Sequence, residues 1–147
     1  MSRIAVKPTL QPELFVYSFP VRVYFENTDA GGVVYHGEYL KFLERARTEW
    51  LRHLGFDHQA LVRDHRVGFV VTAAAIDFAR AARLDDNVAV SVHLESLGKV
   101  RCVFAQEIRR DDEVLVKAKV TVASVTGDNF KPTEIPEALR KKMEAAL

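Results

Sequence analysis

Hydrophobic and polar residues alternate along most of the second half of this chain, and only one long stretch follows a helical period. Val88, Val90, Val92 and Leu94 alternate with Ala89, Ser91, His93 and Glu95. Val114, Val116, Ala118, Val120 and Val122 alternate with Leu115, Lys117, Lys119, Thr121 and Ala123. A period of two marks half-buried antiparallel strands. Val67 to Ala79 and Lys99 to Arg110 complete a set of four, with turns predicted at Leu84-Asp85-Asp86 and Arg110-Asp111-Asp112. Leu14 to Phe25, rich in aromatic and β-branched residues, predicts a first strand. Pro20 assigns that strand to an edge or an irregularity, because proline donates nothing to a ladder.

Tyr39, Leu43, Ala46, Trp50 and Leu54 recur at steps of three and four, with Leu40, Arg47 and Leu51 beside them. This predicts a long helix stopped at Gly55. A short helix is expected from about Asp57 to Asp64 with Asp57 as its cap, and Pro136 suits the first position of a C-terminal helix through Arg140 and Met143. An amphipathic helix must bury its apolar stripe, and a curved antiparallel sheet is its only available partner. The expected class is therefore α+β, with about five strands wrapped around one long helix. No repeat or linker divides the chain, so residues 1–147 read as one domain, with residues 1–13 as a loose lead-in.

Between the first strand and the helix lies Asn27-Thr28-Asp29-Ala30-Gly31-Gly32-Val33-Val34-Tyr35-His36. Asp29 supplies a carboxylate just before a helix. Gly31 and Gly32 permit conformations and close approaches that side chains obstruct. The amides around Tyr35 and His36 fall near the helix start, where unpaired N–H groups and the dipole favour negative charge. A carboxylate beside an oxyanion site is what thioester hydrolysis needs. Taken alone, the same residues also suit a helix cap and a turn. The glycines match neither nucleotide fingerprint.

Composition narrows the chemistry. A net charge of +1 over 147 residues argues against nucleic acid but leaves room for a local phosphate site. The single Cys102 forms no internal disulfide and sits in an apolar strand, as a small core residue. No Cys/His spacing suits a metal. No run of about 18 apolar residues marks a transmembrane span, and residues 1–12 lack the apolar run of a signal peptide, so a cytoplasmic location is expected.

The segment Tyr24-Phe25-Glu26-Asn27-Thr28-Asp29-Ala30-Gly31-Gly32-Val33-Val34-Tyr35-His36 resembles the active-site stretch of hydroxybenzoyl-CoA thioesterase-like enzymes of the hotdog fold. Within them it is most similar to the Tol-Pal-associated acyl-CoA thioesterases. The likeness continues through Phe42-Leu43-Glu44-Arg45-Ala46-Arg47-Thr48-Glu49, Ala82-Arg83-Leu84-Asp85-Asp86 and Lys131-Pro132-Thr133-Glu134-Ile135-Pro136. The resemblance implies hydrolysis of acyl-CoA, with Asp29 as nucleophile or general base and the backbone N–H of His36 as oxyanion donor. It implies a homodimer or homotetramer whose site is shared between subunits, and no cofactor, since coenzyme A belongs to the substrate. Gly31, Gly32, Val33 and Tyr35 then border the reacting group, and Phe69, Val70 and Val71 border the acyl chain. Lys99, Arg101 and Lys131 are candidates for the coenzyme phosphates.

The chain departs from the family pattern in three places. An acid is expected where Asn27 stands, smaller residues near Gly37-Glu38, and a serine where Arg101 follows Gly98-Lys99-Val100. Glu44 and Glu49 are candidate second carboxylates, although ion pairing with Arg45 and Arg47 explains them as well. Two rival activities fit the same fold. A hotdog enoyl-thioester hydratase would use Asp29 and His36 as an acid–base pair, but its Asp-to-His spacing is five residues, not seven. A non-catalytic module would instead hold acyl thioesters or acyl carrier protein.

Overall fold

The computed structural model describes residues 17–147. The predicted lead-in and the opening of the first strand at Leu14 lie outside the described residues. In chain order come β1 (Tyr17–Arg22), α1 (Glu38–His53), α2 (His58–His65), β2 (Val67–Phe78), β3 (Asn87–Leu97), β4 (Arg101–Arg110), β5 (Glu113–Thr126) and α3 (Glu137–Glu144). The strands form one five-stranded sheet in the order β1-β3-β4-β5-β2, antiparallel throughout. This is the α+β arrangement that the patterning predicts.

α1 lays one face on that sheet. Tyr39, Phe42, Leu43, Ala46, Trp50 and Leu51 are buried on the helix. They join a core with Val88, Val90, Val92 and Leu94 of β3, Phe104 and Ile108 of β4, and Val116, Ala118 and Val120 of β5. Trp50 meets Phe104 edge to face at 5.2 Å. Each large side chain removed from water contributes about 1.5 to 3 kcal/mol, so this one face dominates the fold's stability. Cys102 sits in the same core, where burial pushes its thiol up to about 12. It stays a protonated, unreactive core residue.

Around Gln106 the buried polar groups satisfy one another. Gln106 occupies an inward position of β4 and is 2% exposed. Its amide donates to the carbonyls of Leu43 and Ser91 at 3.2 Å each, and its oxygen accepts from the Arg47 guanidinium at 2.9 Å. That arrangement lets the helix carry a half-buried arginine where the apolar stripe alone would demand a leucine.

Element ends follow local chemistry. Gly55 takes φ +96 after α1, and Asp57 caps α2 by accepting from the Ala60 N–H at 2.7 Å. Asp85 and Asp111 hold left-handed φ values of 70 and 55 in the two predicted turns. Three boundaries differ from the sequence reading. β1 stops at Arg22, and Phe25–Asn27 form a single 3₁₀ turn because Asn27 hydrogen-bonds back to Tyr24 through both its backbone and its side chain. β4 opens at Arg101, since the Gly98 N–H donates to the Arg101 carbonyl at 2.7 Å and residues 98–100 make the hairpin turn. Pro136 caps α3 instead of opening it.

β1 and β2 are the two edges. Pro20 sits on β1, where a missing N–H costs least. β2 is different. It is twelve residues long, carries no charge between Val67 and Ile76, and is exposed from Val71 through Ala75.

Candidate active site

The chain after β1 folds into a tight loop that presents Asp29. Thr28 and Val34 pair across it. The Asp29 N–H donates to the Val33 carbonyl at 2.9 Å, and the Gly32 N–H donates to the Asp29 carbonyl at 3.0 Å. Gly32 adopts φ +80, which side chains rarely tolerate. The Gly31 N–H donates to the Asp29 carboxylate at 2.8 Å, and a Cβ on Gly31 would come within 3.3 Å of that oxygen. Both glycines therefore have a local reason: one makes the turn, the other lets the backbone reach the carboxylate. The second carboxylate oxygen has no hydrogen bond among the described residues, and Asp29 is exposed.

The loop docks on the β2–β3 connection. Val33 pairs with Arg83, and the Val34 N–H donates to the Ala82 carbonyl at 2.8 Å. The Ala82 N–H in turn donates to the Tyr39 hydroxyl at 3.0 Å, tying the loop platform to α1. Burial raises the Tyr39 phenol above its ordinary range, with a small addition from the charges of Asp86 and Asp29.

His36 lies earlier than its expected place in the first helical turn. α1 begins at Glu38 with Gly37 as its cap, so His36 and Gly37 form the middle of a turn closed by the Glu38 N–H to Tyr35 carbonyl bond at 2.9 Å. The physical cause is that Tyr35 is pinned at the loop exit, its N–H donating to the Asn27 carbonyl at 3.0 Å. Among the described residues no acceptor takes the His36 N–H. Its imidazole packs at a tilt against the Tyr35 ring, 4.4 Å between centroids, and meets Phe78 edge to face at 6.4 Å. A Cβ on Gly37 would lie 2.9 Å from the Tyr35 ring, so any side chain there would have to push that ring off the turn.

Asp29, Gly31, Gly32, Val33, Tyr35 and His36 thus gather at one end of the molecule, joined by Phe78 from the end of β2. Nothing in the sequence pattern singles out Phe78; it becomes relevant only because β2 delivers it beside His36 and Tyr39.

The remaining candidates lie at the opposite end of β2. Phe69, Val70 and Val71 line a cavity of about 90 Å³ between α1, α2, β2 and α3. Its mouth carries Glu44, Arg47, Thr48 and His58, and its floor carries Trp50, Phe104, Leu139 and Met143. His58 approaches the Thr48 hydroxyl at 3.4 Å, and burial, its largest influence, lowers its imidazole. The sequence gives His58 no ligand spacing, and only the α1–α2 packing brings it to the cavity. Glu49 pairs with Arg52, three residues on along the same helix face, at 3.2 Å. Lys99, Arg101 and Lys131 are exposed at this same end, around the β3–β4 turn and the end of β5. Val70 and Phe78 stand roughly 26 Å apart along the strand, at about 3.3 Å per residue. Within one chain, the Asp29 loop and the cavity do not meet.

A model of the thioesterase-like superfamily matches residues 23–143. The chain belongs to the thioesterase-like superfamily. It is 46% identical over 124 residues to a Haemophilus influenzae acyl-CoA thioesterase, YbgC, covering 84% of this chain and 91% of that protein. An Escherichia coli acyl-CoA thioester hydrolase, also YbgC, is 42% identical over 125 residues, covering 84% and 92%. Among solved structures, a probable thioesterase from Bartonella henselae superposes with a TM-score of 0.80 at 35% identity, covering 82% of this chain and 99% of that one. The matched span of this thioesterase-like chain takes in the Asp29 loop, the whole of α1 and the cavity, so both halves of the candidate site belong to the family's shared fold. Among the described residues no helix is long and apolar enough to cross a membrane, and no group of His, Cys, Asp and Glu is arranged to hold a metal ion.

Proposed function

We propose that this thioester hydrolase cleaves acyl-CoA to a carboxylic acid and coenzyme A, in a site that two copies build together across β2. The observation that carries the reading is the placement of the two half-sites at opposite ends of one exposed edge. An unprotected apolar edge of this length invites pairing with another strand. Two-fold antiparallel pairing of β2 with itself sets Phe78 of one copy beside the Val70 region of its partner. Asp29 then faces the partner's cavity, and the partner's Lys99, Arg101 and Lys131 stand where the coenzyme's phosphates need cations.

In that arrangement the acyl chain enters the cavity and the thioester carbonyl lies between Asp29 and the turn at His36. Asp29, held by the Gly31 N–H through one oxygen only, keeps its other oxygen available for attack on the carbonyl or for activating a water. The His36 N–H, unclaimed within the chain, donates to the oxygen as it gains negative charge. The C–S bond then breaks. On the general-base route the thiolate takes the proton that Asp29 drew from the water. On the nucleophilic route it takes one from solvent, while a water hydrolyses the acyl–Asp29 anhydride to free the carboxylic acid.

Free thiol release from a panel of acyl-CoA esters, followed with Ellman's reagent, tests the activity directly. Hydration of an enoyl thioester leaves the thioester intact and releases no thiol. The shared site is tested by mixing two dead variants, Asp29→Asn and the cavity-filling Val71→Trp. Each should be inactive alone, while an equal mixture refolded together should recover about a quarter of wild-type activity, because half the dimers then carry one intact site. A mixture that stays inactive, with dimers confirmed by light scattering, rules out the cross-subunit arrangement.

A further inference from the structure

Asn27 and Glu38, two positions singled out by the sequence reading, touch each other. Asn27 is 7% exposed, and its side chain works in two directions. Its oxygen accepts from the Tyr24 N–H at 2.7 Å, and its amide nitrogen donates to a Glu38 carboxylate oxygen at 2.8 Å. The Asn27 carbonyl takes the Tyr35 N–H at 3.0 Å, so this residue grips the Asp29 loop at its entry and its exit. Glu38 is the first residue of α1, and its side chain is 14% exposed. Lys41 holds its other oxygen at 2.9 Å.

We propose that Asn27 and Glu38 act as a positioning pair, clamping the Asp29 loop to the start of α1 and fixing the attacking carboxylate relative to the His36 N–H. The inference rests on the reading of Asp29 and His36 given above. Asp29 follows Asn27 by two residues, and His36 precedes Glu38 by two, so the one side-chain bond closes a ring that contains both reacting groups. An acid at position 27 beside Glu38 would set two carboxylates at hydrogen-bond distance with no donor between them. A short side chain at position 38 would leave the Asn27 amide without its acceptor. The bond therefore needs both side chains, the amide at 27 and the carboxylate at 38.

The experiment is an exchange of the pair. Asn27→Asp should lower kcat between about tenfold and a hundredfold, with KM little changed, because a small misplacement of reacting groups acts on the chemical step. Asn27→Asp combined with Glu38→Gln puts the carboxylate and the amide back in contact with their roles reversed. It should regain at least about tenfold of that loss, a coupling within the range for groups in direct contact. Glu38→Gln alone completes the cycle. Variants are compared only where circular dichroism, melting temperature and oligomer size match wild type. Asn27→Asp with unchanged kcat, or a folded double variant no better than the single one, overturns the proposal. If Asn27→Asp fails to fold, Glu38→Ala decides: a several-fold fall in kcat supports the clamp and an unchanged kcat removes it. Wild-type thiol release together with an inactive Asp29→Asn variant secures the underlying reading separately, so the two failures are distinguishable.

Discussion

Asp29→Asn should lower kcat by at least about a hundredfold, the lower end for losing a positioned general base. The swap is nearly isosteric, and the structure gives it little to disturb. Asp29 is exposed, and the one side-chain bond it makes, to the Gly31 N–H, needs only an oxygen acceptor that asparagine retains. The loop's own closure runs through backbone groups, from Asp29 to Val33 and from Gly32 to Asp29. Melting temperature and oligomer size should therefore match wild type while thiol release collapses. The loss should fall on kcat and not on KM, since coenzyme A would bind through groups at the other end of β2. Substantial activity retained across several acyl-CoA esters would remove Asp29 from the mechanism.

The second large effect separates a backbone from a side chain. His36→Ala keeps the N–H and loses only the imidazole, which is exposed and packs on Tyr35 and Phe78. A mild fall in activity is expected. His36→Pro deletes the N–H. Loss of one oxyanion donor typically costs about 3 to 4 kcal/mol of transition-state stabilisation, a few hundredfold in rate. The turn itself should survive, because His36 occupies the second position of a turn whose third residue, Gly37, has φ −69 and ψ −21. Proline is favoured at that second position. Proline also restricts the residue before it, here Tyr35, so circular dichroism and oligomer size must match wild type before rates are compared. Equal losses in well-folded Ala and Pro variants would transfer the role to the imidazole.

Much of this molecule follows from local pattern. Val88 to Leu94 and Val114 to Val122 alternate, so they can bury one face only as strands. The stripe from Tyr39 to Trp50 can bury its face only as a helix. Asp57, Gly55, Asp85 and Asp111 mark ends and turns through chemistry that acts within a few residues. The same locality makes Asp29, Gly31, Gly32 and His36 legible as one motif, because the loop that unites them spans fewer than ten residues.

Boundaries set by contacts at longer range were not legible. β1 ends at Arg22 because Asn27 turns the chain, and the partner that uses the Asn27 amide, Glu38, belongs to a different element. His36 sits ahead of α1 because Tyr35 is tied back to Asn27, a bond that no hydrophobic period encodes.

The sequence by itself determined the class of fold, the order of elements and the loop that carries Asp29. Each rests on periodicity, turn propensity or a contiguous motif, and these are properties of neighbouring residues. Only the tertiary structure decided that Arg47, Thr48 and His58 rim a cavity with Phe69, that Phe78 stands beside His36, and that cavity and loop occupy opposite ends of an uncovered strand. Those relations join residues far apart in the chain, brought together by burying α1 against the sheet, and that burial depends on the whole fold at once.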